Sequence, residues 1–302
     1  MMTFSIVPLS TRRGQVPVAM RGEAPRMPPL EDDYTDIMRK AQRGTGKGAI
    51  VLARETGLEE SFLRAVANGR EQPAEEQARR IARALSLDPG KFADAVFQRW
   101  HPATALPNDV RHHINAPHPS NGYLLFLEQT RIAALVDPAG MPERLLRAVA
   151  DGPFHLRYVL ITHKHADHCD ATAEVARAFP EARILIHRHD ASAIGALEHR
   201  AMKLQDGEHV PFGEAEIRVL HTPGHTDGSV CYLFRNLVFT GDTLFAGSVG
   251  GAMGDASTYG DILHSIRMRL FALDEQSVVL PGHGPPTTIA QERSHNPFFT
   301  ES

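Results

Sequence analysis

The chain has two textures in its pattern of apolar and polar positions. Between residues 31 and 100, apolar residues recur at helical spacing in the segments AIVLARETG, ESFLRAVANG, AEEQARRIARALSL and PGKFADAVFQRW, which glycine, proline or acidic caps separate. That spacing predicts about four or five short packed amphipathic helices. From about residue 118 the apolar residues fall instead into short runs rich in β-branched side chains: GYLLFLE, RIAALVD, RYVLIT, ARILIH, IRVLH, VCYLF and NLVFT. These predict strands. Helical spacing returns between and after them, at Ala171, Val175 and Ala178, and in DILHSIRMRLFAL, where Ile262, Ile266 and Leu270 form a stripe that could cover a sheet. Residues 1–30 carry Pro8, Pro17, Pro25, Pro28 and Pro29 with neither period, which predicts a flexible arm. The periodicity alone gives an α/β or α+β fold. The predicted units are an arm over 1–30, a helical domain over 31–100 and a mixed domain over 101–302.

Composition narrows the setting. A chain of 302 residues with 42% hydrophobic and 23% charged residues fits a globular protein with two folded units. The formal charge of −4 gives no overall basic field for nucleic acid or anionic lipid. No apolar stretch approaches membrane-spanning length, and the prolines and arginines at the N-terminus do not suit a signal peptide, so the expected location is cytoplasmic. Two cysteines, Cys169 and Cys231, fit a reducing compartment; Cys169 follows His168 and is read as a packing thiol rather than a reactive one.

In the helical block, Ala53, Gly57, Leu58, Leu63 and Val66 have the spacing of a helix-turn-helix. With NGREQP and IARALSLDP following, residues 35–95 resemble the Cro/C1-type helix-turn-helix family. DNA binding is a weaker expectation than protein contact or dimerisation. Residues 31–100 hold 12 Lys+Arg against 12 Asp+Glu, and Glu59 and Glu60 open the presumed recognition helix. Arg54, Arg64, Arg70, Arg79, Arg80 and Arg83 could still form a local basic patch.

The chemistry concentrates at THKHADH (162–168), where His163, His165, Asp167 and His168 supply four metal-binding side chains. Imidazole and carboxylate suit borderline divalent cations such as zinc, iron and manganese. His163 and His165 stand two apart and project to one side of an extended loop, while Asp167 and His168 enter a helix facing a second point. Three further landmarks, HTPGHTDGS (221–229), FTGDTLF (239–245) and LPGHG (280–284), add His225, Asp242 and His283, each beside a glycine in a turn. The expected arrangement is a pair of sites. His163, His165 and His225 take one metal, and Asp167, His168 and His283 take the other, with Asp242 bridging. His101, His112, His113, His118, His155, His187, His189, His199, His209, His264 and His295 are read as ordinary surface or core residues. His221 could line the pocket.

These four motifs, in this order over residues 110–300, resemble the metallo-β-lactamase-fold hydrolases, in particular the small glyoxalase II-like proteins. The resemblance implies an αββα sandwich and, on it, a dinuclear hydrolase, with zinc the first choice of metal. A hydroxide bridging the metals would attack an ester, thioester, lactone or amide, and Asp167 would accept or relay a proton. Ser229, Ser248 and Cys169 lie near the motifs without being required as nucleophiles. In glyoxalase II-like enzymes, basic and aromatic residues that contact glutathione follow GDTLF. Here that stretch is AGSVGGAMGDAS, and Gly251 and Met253 occupy those places, so glutathione specificity is not expected. The glycines predict a mobile rim or a close approach to a larger, less charged substrate, or else a simple tight connection. Two other readings remain. Persulfide dioxygenases resemble this scaffold and bind one iron through positions matching His163, His225 and Asp242, but the arginine they usually carry after the GDA-type motif is missing. A metal- or ligand-sensing DNA-binding regulator is the third.

Overall fold

The computed structural model describes residues 29–140, 142–253 and 258–300. All of the expected arm except Pro29 and Leu30 lies outside the described residues, as do residues 254–257 of the glycine-rich stretch.

Five helices come first: α1 (Tyr34–Thr45), α2 (Ala49–Thr56), α3 (Glu60–Ala67), α4 (Glu75–Ala84) and α5 (Pro89–Val96). The apolar segments predict the last four of them. Helix α1 is set by its ends: the Asp33 side chain accepts from the Thr35 and Asp36 amides, Asp36 reaches back to the Asp33 amide, and left-handed Gly46 stops the helix. Gly57, also left-handed at φ 65°, ends α2 and turns the chain towards α3. Charge on these helices is largely paired internally: Arg64 with Glu60, Arg79 with Glu75, and Arg83 with Glu76. Half of the six arginines proposed for a basic patch are therefore engaged by carboxylates.

Two six-stranded sheets follow. The first contains β1 (Val110–Ile114), β2 (Asn121–Leu127), β3 (Ile132–Val136), β4 (His155–Leu160), β5 (Arg183–His187) and β6 (Met202–Leu204), in sequence order across the sheet. Helices α6 (Pro142–Ala150), α7 (Ala166–Cys169) and α8 (Thr172–Ala178) connect its parallel strands. The second is ordered β14-β13-β10-β9-β8-β7. Its strands are β7 (His209–Phe212), β8 (Ala215–His221), β9 (Val230–Phe234), β10 (Leu237–Gly241), β13 (Val278–Pro281) and β14 (Thr287–Thr288). Strands β11 (Leu244–Phe245) and β12 (Ser248–Val249) form a small ribbon, and α9 (Tyr259–Ser265) and α10 (Ile289–His295) complete the chain.

Apolar contacts separate into layers. Tyr123, Leu125, Tyr158, Phe212, Phe234 and Phe239 fill the space between the sheets. Leu124, Phe126, Val175 and Ile186 belong to the outer face of the first sheet. Because both faces are covered, β2 is buried along nearly its whole length, so its sequence reads as a continuous apolar run instead of an alternation. The architecture is a four-layer αββα sandwich preceded by a helical region. On α8 the buried positions are Thr172, Val175 and Ala176; Ala178, placed on the stripe by spacing alone, is exposed because the helix is short and its last turn faces solvent. The Ile262, Ile266 and Leu270 stripe is buried as expected.

The outer face of the second sheet shares one core with the helical region: Ile37, Leu52, Leu63, Ile81 and Phe92 cluster with Val238, Val279, Ile262 and Phe298. Polar contacts fix this docking. The Lys91 ammonium donates to the carbonyls of Arg293 (2.5 Å) and Phe299 (2.7 Å), and Trp100 stacks on His295.

Buried Glu292 accepts from the Gly247 amide (3.0 Å), the Thr287 hydroxyl (2.8 Å) and Asn296 (2.9 Å). Burial, which outweighs these donors, raises its carboxyl to about 7. A raised acid favours the folded state below its unfolded pKa, and that contribution is lost as pH climbs through the folded value. Between about pH 4.5 and 7 the wild type should therefore lose at most about 3 kcal/mol from this group. Glu292→Gln keeps the bonds, because the Thr287 hydroxyl that would receive the new amide donor can itself turn to Gln291. Urea unfolding at pH 5 and pH 8 should show the variant gaining stability relative to wild type at the higher pH; parallel profiles would refute this assignment.

Candidate metal centre

Each motif sits at the end of a strand. THKHADH follows β4 and enters α7; PGHT follows β8; Asp242 follows β10; and the PGHG turn follows β13. Glycines let these ends converge. A Cβ on Gly241, whose φ is +47°, would lie 2.4 Å from Thr162 Oγ1, and one on Gly224, at φ +141°, would lie 2.3 Å from the Ile262 nitrogen.

All seven expected side chains meet there. His163, His165, His225 and Asp242 form one group of donor atoms within 4.8 Å of one another, and Asp167, His168 and His283 form another. Asp242 faces both: Oδ2 is 3.4 Å from His225 Nε2 and 3.6 Å from His283 Nε2, and Oδ1 is 3.3 Å from His168 Nε2. The donor atoms are crowded as acceptors would be around cations. His225 Nε2 lies 2.8 Å from His165 Nδ1, His168 Nε2 lies 3.3 Å from His283 Nε2, and buried His163 Nε2 and Asp242 Oδ1 have no hydrogen-bond partner. Unpaired buried donors and acceptors are costly. Divalent cations would satisfy them, so the residues present fit the group that this donor set implies.

The surroundings fix which nitrogen faces inward. His168 Nδ1 donates to Asp137 Oδ2 (3.0 Å), and His225 Nδ1 donates to the Gly251 carbonyl (2.6 Å), leaving both Nε2 atoms free to act as ligands. Burial first, then the neighbouring imidazoles, pushes His163 well below the usual histidine range; burial also lowers His165 and His225. For His168 burial acts downward, but Asp242, Asp137 and Asp167 outweigh it and hold the ring at about 9. His283 is raised against burial by Asp167 and Asp242, and its hydrogen bond in turn keeps Asp167 well below the carboxylate range.

Several supporting residues have no mark in the motifs. Asp137, at the end of RIAALVD, accepts from the Thr162 amide and hydroxyl, both at 2.8 Å, as well as from His168. Asp190 accepts from the Lys164 amide (2.9 Å) and the Thr226 hydroxyl (2.6 Å), tying the THKHADH loop to the PGHT turn. Ser120 donates to the Asp167 carbonyl, and Asn121 donates to the carbonyls of Pro281 (2.9 Å) and Gly284 (2.8 Å). Cys169 is buried beside the centre, and burial, with Asp137 next, pushes its thiol up to about 12, as a packing thiol would show. His221 lies outside both groups, stacked on His187 (ring centroids 4.2 Å apart) with His189 alongside. These three imidazoles form a third donor cluster; the sequence marks His187 and His189 as ordinary positions and only His221 as a pocket candidate.

Asp137→Asn removes the charge that orients His168 while keeping a side chain that tolerates the left-handed backbone at φ 52°. Its metal affinity is expected to fall about 10- to 100-fold, as measured by competition with a chromophoric chelator. Unchanged affinity would remove Asp137 from the site.

Residues 116–283 match the family described as Metallo-beta-lactamase superfamily. The chain belongs to that superfamily. It is 29% identical over 192 residues to hydroxyacylglutathione hydrolase GloC of Haemophilus influenzae, a match covering 58% of this chain and 91% of that protein. The structure of ETHE1 from Myxococcus xanthus superimposes with a TM-score of 0.56 at 31% identity, covering 62% of this chain and 83% of that one. A further structure, TTHA1623 in a di-iron-bound form, gives a TM-score of 0.54 at 29% identity and covers 63% of this chain and all of that one. The superfamily's divalent-metal chemistry and the clustered donors make this a candidate metallo-hydrolase. Among the described residues no helix is long and apolar enough to cross a membrane.

Proposed function

We propose that the protein is a dinuclear metal-dependent hydrolase acting on an ester, thioester or lactone, without glutathione specificity. The observation that carries this reading is the carboxylate of Asp242 within 3.6 Å of imidazoles from both donor groups. The likeness to a hydroxyacylglutathione hydrolase and to a di-iron structure supports it. His163, His165 and His225 would hold one cation and Asp167, His168 and His283 the other, with Asp242 shared; zinc is the first choice, iron or manganese the alternatives. When bound, such cations acidify water to near-neutral pKa and polarise a carbonyl.

The chain's own residues supply the rest. Asp167 is the more accessible acid, its side chain 28% exposed against 10% for Asp242, so it is the carboxylate placed to relay a proton towards solvent. Asp137 and the Gly251 carbonyl hold two rings in the ligand tautomer. Fully buried His163 and His168 close the floor of the site to water. The helical region is proposed as a protein-contact or dimerisation element, because the pairing of Arg64, Arg79 and Arg83 with glutamates takes half of the six-arginine patch away from phosphates.

The test is metal analysis of the full chain reconstituted with zinc, iron or manganese, followed by a panel of thioesters, lactones and phosphoesters. The expected result is two metals per chain, turnover of the carbonyl substrates and poor turnover of glutathione thioesters. His189→Ala is analysed in parallel, so that the third imidazole cluster does not inflate the count. A second reading, a mononuclear iron oxygenase, draws on His163, His225 and Asp242 lying in one group. One iron per chain with oxygen uptake on a persulfide would replace the first reading with this one.

A further inference from the structure

A cleft of about 390 Å³ lies where the helical region meets the loops of the candidate metal centre, with Lys40 and Arg43 of α1 on one wall and Gly250 and Gly251 on the other. The glycine wall belongs to the centre itself. The Gly251 carbonyl accepts from His225 Nδ1, and a Cβ on Gly250 would lie 1.8 Å from the Asp242 carbonyl oxygen and 3.4 Å from His225 Nδ1. On the opposite wall, the Lys40 ammonium stands 5.1 Å from the Phe245 ring centroid, and the edge of that ring meets His283. The cleft is therefore one side chain away from an imidazole of each donor group.

Helix α1 is firmly seated at this position. Its Gly44 packs so closely on Tyr259 that a Cβ would come within 2.1 Å of the ring, and Lys40 is held by Asp32 and by the Val249 carbonyl (2.7 Å). Lys40 is thus a committed cation whose charge Asp32 balances. Arg43, on the next turn, differs: its guanidinium is exposed and has no carboxylate partner among the described residues, whereas Arg39, Arg64, Arg79, Arg83 and Arg99 are each paired. Among the described residues a Cβ on Gly251 would meet nothing nearer than Met253 at 4.0 Å. A guanidinium without a carboxylate partner among the described residues, carried on a seated helix at the rim of a cleft beside the candidate centre, is suited to a bidentate oxyanion.

We infer that Arg43 is a specificity residue that binds the carboxylate or phosphate of an anionic acyl ester or thioester, so that the helical region completes the substrate site. This rests on the hydrolase reading above. It is tested on the metal-reconstituted full chain with matched substrates: the nitrophenyl esters of butyrate and succinate for the carboxylate, and S-acetyl-pantetheine with its 4′-phosphate for the phosphate. The wild type should favour whichever anionic member is its source. Arg43→Ala should raise KM for that member by about 10- to 100-fold with kcat retained, Arg43→Lys should recover part of the loss, and the neutral members should stay within about twofold. Equal losses on charged and neutral substrates, or no anionic preference in the wild type, would overturn the inference. Calorimetric binding of succinate and inorganic phosphate is measured without turnover: absence of hydrolysis throughout would remove the hydrolase reading, while binding that Arg43→Ala leaves intact would remove the role of Arg43.

Discussion

Asp242→Ala is expected to abolish hydrolysis and to strip metal from both donor groups. Its carboxylate is the acid that faces both: Oδ1 approaches His168, and Oδ2 approaches His225, His283 and, at 3.9 Å, His163. The imidazoles around it, with burial acting the other way, hold Asp242 below the ordinary carboxylate range, so it is ionised at neutral pH. Alanine would leave Asp167 as the one carboxylate of the seven-residue set to balance the cations, in a pocket where His163 and His168 are screened from water. Losing a shared anion in such a place should cost at least about 4 kcal/mol of charge stabilisation, or a rate drop on the order of 1000-fold. Metal content after dialysis, turnover, and the thermal shift on adding zinc should all fall together while the circular dichroism spectrum keeps its folded form. Turnover and metal retention at wild-type levels would show that Asp242 is not a shared ligand.

What could be read in the sequence depended on locality. The seven donor residues were legible because four crowd into THKHADH and the other three, His225, Asp242 and His283, each stand beside glycine, which a chain that must bring strand ends together needs at such places, as Gly224 and Gly241 show. Asp137 and Asp190 were not legible. Asp137 acts on Thr162 and His168, 25 and 31 positions away, and nothing beside it in RIAALVD announces that role except an acid closing an apolar run. Asn121 serves the PGHG turn from 160 positions away, a relation that exists only because β2 and β13 end at one edge of the sandwich. The strands followed the same logic. Interior strands such as β3 and β10 gave unbroken apolar runs, whereas β1, β6, β7 and β14, which sequence pattern did not reveal, are sheet edges; interior β13 also went unread, since it is only four residues long and ends in the PGHG turn. Edge strands are short and carry exposed polar residues, as VRHHI does in β1, so their apolar signal is diluted. Helix α1 was missed for a related reason: its burial rests on Thr35, Ile37, Met38 and Ala41, while its other positions are polar and its caps define its ends. Of the readings of the glycine-rich stretch, Gly250 fits the tight connection, pressed against the Asp242 carbonyl.

That tightness makes Gly282 the second sensitive point, and Gly282→Ala is expected to impair the centre although it replaces no ligand. An added Cβ would sit 2.3 Å from Asp242 Oδ1, 2.8 Å from His168 Cε1 and 2.9 Å from the Gly241 carbonyl carbon. None of these neighbours has freedom to yield. Asp242 is enclosed by imidazoles, His168 is held by Asp137, and Gly241 is backbone that accepts from the Gly282 amide at 2.8 Å. Gly282 cannot retreat either, since its carbonyl accepts from the Asn121 amide at 2.7 Å. The methyl group must therefore displace the Asp242 carboxylate or the His168 ring, the side chains on which the two donor groups converge. Overpacking of this kind costs about 1–3 kcal/mol of stability. The loss in metal affinity and turnover should be larger, on the order of 100-fold, because displacing a ligand by about 1 Å breaks coordination geometry. Gly48→Ala is the matched control, as a Cβ there meets nothing within 4 Å. If Gly282→Ala bound zinc and turned over substrate as Gly48→Ala does, the close apposition of Asp242, His168 and the PGHG turn could not be the arrangement that holds the metals.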